Sequence, residues 1–363
     1  MSDINFYQRL NRLEERRKGA NVSYSFDGLN EDIRELNTLK ESMESWQSVS
    51  DKPSIRYAVG AMQEVGKRYT EISVETAIRV QKQLKTRLLD NHGMNTTYRL
   101  QGSVPLNVHI KGISDVDLLV IDNSHYRSEQ YLESLRYEDI INIRNLRSAS
   151  NSELRKAYPA VKIDNTGAKC ITLTGGSLQR EVDVVPCHWV VTDKYKEEKK
   201  EYNLGVNILD NKTPSTLMNL PFKHMHLIDN RCNYLTAGGL KKSIRLCKTL
   251  KADLIAEGYK IYLSSFDIAS IMYHAEMSNL KKGSYYPLAV VLETQRFFDY
   301  LHYNPAYRDR LFTPDYSRLI FDTEDKKSSL TTMSVALDNL LKEIKNDLGY
   351  QYNSSLESYY LAG

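Results

Sequence analysis

Gln101-Gly102-Ser103 is followed, eleven residues on, by Asp115-Val116-Asp117, which runs straight into Leu118-Leu119-Val120-Ile121. No other stretch constrains the fold as much. Leu118 to Ile121 read as a strand buried on both faces, and the aspartates open it rather than decorate an exposed edge. Side chains alternate along a strand, so Asp115 and Asp117 point to one face, on the order of 6–7 Å apart. Carboxylates so placed can share divalent cations. Nucleotidyl transfer needs that arrangement, because Mg²⁺ pairs about 3.5–4 Å apart stabilise both the attacking and the leaving oxygen. Gly102 lets backbone N–H groups approach phosphate oxygens closely, and Ser103 adds a hydroxyl. Gln101, Gly102 and Ser103 are therefore the candidate triphosphate cradle.

Such a site requires a third carboxylate on a neighbouring strand. Leu178-Gln179-Arg180-Glu181-Val182-Asp183-Val184-Val185-Pro186 reads as that strand, ending at Pro186. Asp183 is the candidate, and Glu181, on the same face, is the fallback. Asp-x-Asp on its own is a common feature of solvated strand faces. The upstream Gly-Ser, the apolar run behind the acids and the second acid-bearing strand together favour catalysis.

These motifs resemble the DNA polymerase β-like nucleotidyltransferase superfamily. Within it, the chain is similar to bacterial relatives of cyclic GMP-AMP synthase and oligoadenylate synthetase, the cyclic oligonucleotide synthases of anti-phage (CBASS) signalling. The helix from about Val74 to Asn91 resembles that family's spine helix. Asn219-Leu220-Pro221-Phe222-Lys223-His224, then Asn233, Thr236, Gly238, Gly239 and Lys241 to Lys248, resemble its entry into the helical half. The resemblance covers about residues 55 to 300. It implies an α+β fold: a polymerase β-like lobe with a mixed sheet, flanking helices and a long spine helix, plus a helical lobe, with the active site in the cleft between them. It implies two Mg²⁺ ions, with Mn²⁺ able to substitute, held by Asp115, Asp117 and Asp183. ATP, GTP or both are the implied substrates. The implied product is a cyclic di- or trinucleotide second messenger, with an effector that binds it downstream. A nucleic-acid activator stays open. Some family members are conjugated through a C-terminal residue by a ubiquitin-like ligase, and the tail Ser358 to Gly363 ends in a glycine suited to such a ligase; a frayed terminus is the alternative.

Periodicity fills in the rest. Residues 4 to 17 and about 30 to 47 read as amphipathic helices, and Pro53 fits a helix start. Ile72, Ala77, Ile78, Val80, Leu84, Leu88 and Leu89 form the apolar stripe of the spine helix. Thr96 to Leu100 is a strand. About Ser128 to Arg147 and Ser152 to Tyr158 are helical, Lys169 to Thr174 and Leu178 to Val190 form a hairpin around Gly175-Gly176, and Asp193 to Glu201 is a charged surface loop. From Pro214 on the chain reads as mostly helical, about 237–257, 264–279, 285–302 and 330–347. This divides the chain into N-terminal helices (1–55) packed on the lobes, a catalytic lobe (56–210) and a helical lobe with a C-terminal tail (211–363).

Lys241, Lys242, Arg245, Lys248 and Lys251 recur at helical spacing after Gly238-Gly239. The functional reading is triphosphate binding, with Lys241, Arg245 and Lys248 as candidates, and the alternative is a solvated basic face. His109 and Lys111 are weaker phosphate candidates, with surface loop as the alternative. Arg180 either faces the cleft or pairs with an acid. The net charge of +3 argues against a broad nucleic-acid footprint. Cys170, Cys187, Cys232 and Cys247 lack metal-type spacing, so buried thiols in a reducing cytosol are expected, and a zinc site at Cys187, His188, His224 and His226 is disfavoured. No apolar run is long enough to span a membrane, and no signal sequence opens the chain, which suggests a cytoplasmic enzyme. No Ser-His constellation points to hydrolysis. The competing functions are a polymerase β-like enzyme that modifies an RNA, protein or small-molecule acceptor, and a nucleotide-binding subunit without chemistry.

Overall fold

Two parallel strands form the centre of the fold. The computed structural model describes residues 5–18, 44–129, 137–213 and 215–349. Seven strands make one mixed sheet: β1 (Thr96–Gln101), β2 (Val116–Ser128), β3 (Lys162–Asp164), β4 (Ile171–Thr174), β5 (Val182–Val191), β6 (Gly205–Asp210) and β7 (Ser215–Asn219). The path is β1-β2-β5-β4-β3, and β6 and β7 branch from the second half of β5. β2 and β5 run parallel, and every other pairing is antiparallel.

Three helices prepare the sheet: α1 (Phe6–Lys18), α2 (Pro53–Met62) and the long spine helix α3 (Lys67–His92). The spine stops at Gly93, which is left-handed (φ 64°). There the N–H groups of Gly93 and Met94 donate to the Leu89 and Leu88 carbonyls, satisfying the helix's last acceptors. Val80, Leu84 and Leu88 of α3 and Leu146 and Leu154 of α4 (Tyr137–Ala157) cover Leu118, Val120, Val182 and Val184. The alternate residues Leu119, Ile121, Val185 and Cys187 face the other way, onto Trp189, Val206 and Ile208. Asp117 and Asp183 share the phase of this second set, so they face away from the spine helix.

A short helix α5 (Asp193–Glu198) lies between β5 and β6, and the helical lobe follows β7. It comprises α6 (Pro221–Asn230), a π-helical turn (Arg231–Thr236), α7 (Gly239–Ala256), α8 (Ser265–Tyr273), α9 (Met277–Lys282), α10 (Pro287–Tyr303), the single turn α11 (Pro305–Arg308) and α12 (Glu324–Asp347). One apolar core joins Ile244, Leu246 and Leu250 of α7, Phe297 and Phe298 of α10 and Leu337 and Leu340 of α12 to Phe6, Leu10 and Leu13 of α1. The N-terminal helix thus packs on the helical lobe. Arg12 Nε and Arg16 Nη1 donate to Asp253 of α7 at 3.1 and 2.9 Å, and Tyr57 Oη donates to it at 2.6 Å. Burial and the Asp253 charge push the Tyr57 phenol well above its usual range.

Several sequence expectations are corrected. Pro186 does not end β5, which continues to Val191. β4 pairs with residues 182–184 and β6 with 187–190, so on that edge Pro186 falls in the interval neither strand uses and its missing donor is tolerated. β5 begins at Val182, not Leu178. β2 runs on past a bulge between Asp122 and Tyr126 to Ser128, where the expected helix was to begin, and α4 starts only at Tyr137. The two expected helices after it are one, because Leu146, Ala149 and Leu154 form a single buried stripe. Asp193 to Glu198 is helical, started by Thr192 Oγ1 accepting from the Tyr195 N–H. Ser215 to Asn219 extend the sheet past the expected lobe boundary. The expected helix at 264–279 breaks into α8 and α9, and α12 starts earlier, at Glu324, capped by Thr323. Ile78 and Leu89 lie on the exposed side of the spine. The expected helix at 30–47 falls largely outside the described residues, as does the tail ending in Gly363. Among the described residues, no helix is long and apolar enough to cross a membrane.

Asp253 is fully buried. Asp253→Ala strips partners from a buried phenol and two guanidiniums, so it should lower unfolding free energy by about 3–5 kcal/mol. Urea unfolding checks this, and a loss below about 1 kcal/mol would show that the cluster is not stabilising α1.

Candidate active site

The β2–β5 register sets the geometry. Asp117 lies directly opposite Asp183, and Gln101 of β1 lies opposite Asp117 on its other side. Asp115 immediately precedes β2, and Glu181 immediately precedes β5 and accepts the Val116 N–H through its carbonyl at 3.2 Å. The carboxylates therefore form two rows across two strands at one end of the sheet. Asp183, within the strand, is the direct partner of Asp117, and Glu181 stands one row out.

Gly102 turns the chain beside Asp117. Its φ is 81°, and a Cβ there would stand 2.3 Å from Asp117 Oδ2. Only glycine leaves that carboxylate its place. The Ser103 carbonyl accepts the Val108 N–H at 2.9 Å, and its hydroxyl has no protein partner among the described residues. Thr172 Oγ1 donates to Asp183 Oδ1 at 2.6 Å, which helps to fix that carboxylate. The sequence reading missed Thr172; its position across the β4–β5 ladder from Asp183 was the available signal.

The acids raise one another's pKa values. Burial, then Asp183, pushes Asp115 up to about 6. Burial, then Asp183 and Asp115, pushes Asp117 up to about 7. Glu181 rises to about 7 for the same reasons. The nearest counter-charge is Lys248, which opposes the rise of Asp115 and Asp117. Lys248 is itself buried, which lowers it to about 7, and it donates to the Val108 carbonyl at 2.9 Å and to Ser114 Oγ at 3.3 Å.

The other cations of α7 contact carbonyls and an acid in the described structure. Arg245 donates to the carbonyls of Met62 and Asn107 at 2.7 and 2.6 Å. Lys241 pairs with Asp229 at 2.6 Å, Lys242 donates to the Gly283 carbonyl and Lys251 to that of Leu263. His109 is not on a surface loop: it is buried, bonded to Thr70 Oγ1 at 2.9 Å, and burial lowers it to about 4. Lys111 Nζ donates to the Arg17 carbonyl. Arg180 makes no ion pair among the described residues and lies over the Tyr69 ring at 3.7 Å. His188, His224 and His226 lie against Trp189, Phe266 and Tyr202, respectively.

No protein-family model matches the chain. The cyclic dinucleotide synthase CdnE of Yersinia aleksiciae is 40% identical over 358 residues, covering 94% of this chain and 93% of that one. The chain belongs to the bacterial CD-NTase family of cyclic oligonucleotide synthases. A c-di-GMP synthase of Capnocytophaga granulosa is 32% identical over 331 residues, covering 82% of this chain and 89% of its own. The structure of the STING-associated CdnE c-di-GMP synthase from that organism superposes with a TM-score of 0.71 at 28% identity, over 94% of this chain and 99% of the other. A STING-associated CdnE c-di-GMP synthase from Flavobacteriaceae shares the fold, with a TM-score of 0.73 at 22% identity, over 95% of this chain and 100% of that one. This CD-NTase is accordingly a nucleotidyltransferase with a polymerase β-like fold that makes a cyclic nucleotide second messenger. Membership implies metal-dependent transfer.

The residues present fit a hard divalent cation. Asp117 and Asp183 lie opposite each other on one side of the sheet, Gly102 keeps Asp117 unobstructed, and burial, then the neighbouring acids, raises the Asp117 pKa. Among the described residues, no three His, Cys, Asp or Glu side chains form a ready-made metal cage.

Gly102→Ala should cost at least about 100-fold in product formation while leaving the circular dichroism spectrum unchanged, since a displacement of about 1 Å at Asp117 suffices. Wild-type rates in that variant would show the turn to be slack. Linkage gives a second test. A carboxyl with a raised folded pKa keeps its proton where the unfolded chain has lost it, so its contribution to stability is present at low pH and lost as pH rises toward 7. In metal-free protein, Asp117→Asn should therefore stabilise at pH 8 by on the order of 1–3 kcal/mol. The gain should shrink as the pH falls toward 5 in denaturant titrations, and a gain independent of pH would disconnect it from ionisation.

Proposed function

We propose that this CD-NTase joins two purine nucleotides, GTP among them, into a cyclic dinucleotide, with two Mg²⁺ ions held by Asp115, Asp117 and Asp183. The observation that carries the site assignment is the register that sets Asp117 against Asp183 beside the Gly102 turn. The dinucleotide product and the use of GTP are supported by the relatives, which are named cyclic dinucleotide and c-di-GMP synthases. Bound Mg²⁺, for which Mn²⁺ substitutes, supplies Lewis-acid stabilisation of charge on the reacting phosphate.

The chain's own residues do the rest. The backbone N–H groups around Gly102 and the free Ser103 hydroxyl orient the triphosphate, with Gln101 beside them. Lys248 adds positive charge behind the carboxylates. Asp183, steadied by Thr172, takes the proton of the acceptor ribose hydroxyl. That oxygen then bonds to the α-phosphorus as the bond to pyrophosphate breaks. A second transfer, with the linear product turned over in the cleft, closes the ring. The cyclic product acts on a downstream effector that binds it.

Purified protein incubated with the four labelled NTPs and Mg²⁺ or Mn²⁺, then treated with phosphatase, should leave a resistant product. Mass spectrometry should identify a guanine-containing cyclic dinucleotide. Asp117→Ala should abolish it. Release of all label as inorganic phosphate would contradict cyclisation under these conditions, and a linear or trinucleotide product would contradict the dinucleotide assignment.

A further inference from the structure

Arg180 stands out among the cations near this site. It lies three residues before Asp183 and next to Glu181, yet among the described residues no carboxylate pairs with it. Its guanidinium carbon lies over the Tyr69 ring, 3.7 Å from the centroid. Nη1 donates to the Gln179 carbonyl at 2.7 Å, and Nε is buried without a partner. Arg245 and Arg147, by contrast, are spent on backbone carbonyls.

Tyr69 is itself fixed. Its hydroxyl accepts the Gly112 N–H at 3.2 Å, and its ring stacks on buried His109 at 6.5 Å and 19°. The stack therefore ties the start of the spine helix, the loop after the Gly102 turn and the entry to β5 together at the acid-bearing end of the sheet. A guanidinium held over a ring, with one hydrogen bond and no acid partner among the described residues, suits an anionic oxygen at the neighbouring site. Stacking pre-orients the planar guanidinium, so less entropy is lost when it receives one.

We propose that Arg180 binds the β- or γ-phosphate of a substrate nucleotide in this active site, presented by Tyr69. The inference rests on the nucleotidyltransferase reading of the carboxylates given above. Isothermal titration of the full-length protein with Mg²⁺ and either the non-hydrolysable α,β-methylene analogue of GTP or GMP tests it. Arg180→Gln should weaken binding of the triphosphate analogue by roughly 10–100-fold and leave GMP binding unchanged. Arg180→Lys should recover only part of the loss, because an ammonium neither stacks nor forks. Tyr69→Leu should give an intermediate loss for the triphosphate alone. Equal losses for both ligands would show a structural clip only and overturn the proposal, as would no loss in any variant. If Arg180→Gln fails to fold by thermal melting, Arg180→Lys and Tyr69→Leu decide by the same criterion. A wild type without preference for the triphosphate would sink the active-site reading itself, and this inference with it.

Discussion

The loop from Ser103 to Ser114 belongs to both lobes, and the active site depends on that shared ownership. Leu106 and Val108 are buried in the core of the helical lobe, although the loop leaves and re-enters the sheet. Between them, Asn107 takes a left-handed conformation (φ 55°), which asparagine tolerates, and turns its carbonyl to Arg245. The Val108 carbonyl receives Lys248. Buried carbonyls need donors and buried cations need acceptors, and each group here meets the other's need. The position of the phosphate cradle relative to the carboxylates is therefore set by helix α7 as much as by the sheet.

A second constraint sits on the sheet itself. The parallel β2–β5 ladder forces Asp117 and Asp183 together whatever the electrostatic cost, because shifting the register by one residue would turn Leu119 and Val185 out of their core. Burial, and after it the repulsion between neighbouring acids, raises the pKa values of Asp115, Asp117 and Glu181. Hydrophobic burial on both faces of β2 and β5 holds this repulsion in place. The unbalanced charge is what a divalent cation and a triphosphate would complete, so affinity for substrate and instability of the empty site have one origin.

Strand alternation is a strict rule, so the sequence shows Asp115 and Asp117 on one face of their strand and Glu181 and Asp183 on one face of another, while the coincidence of the two faces depends on the β2–β5 register. Gly102 was legible as a turn. Its closeness to Asp117 was not, since that depends on the β1–β2 register. By spacing, the basic run on α7 reads either as triphosphate-binding or as a solvated basic face. Spacing gives a face of a helix but not what covers it, and the cover turned out to be backbone carbonyls, including those of the loop after Ser103. Pro186 misled for a related reason: a proline stops a strand only where its missing N–H would be needed, and the change of partner from β4 to β6 along β5 cannot be seen in one segment. The bulge after Asp122 likewise hid the second half of β2, because it breaks the alternation by which strands are recognised.

Lys248 shows why the lobe joint and the site charge cannot be treated separately. Its ammonium is taken from water by burial, which loosens its proton, and is supported by Asp117 and Asp115, which tighten it. The same atom donates to Val108 and to Ser114, the residue before Asp115. One group thus joins α7, the cradle loop and the first acid. Replacing it by an apolar residue would leave the Val108 carbonyl unpaired and remove the counter-charge nearest the carboxylates in a single change. In this fold, the packing of the helical lobe and the electrostatics of the carboxylates are two consequences of where that one side chain can end.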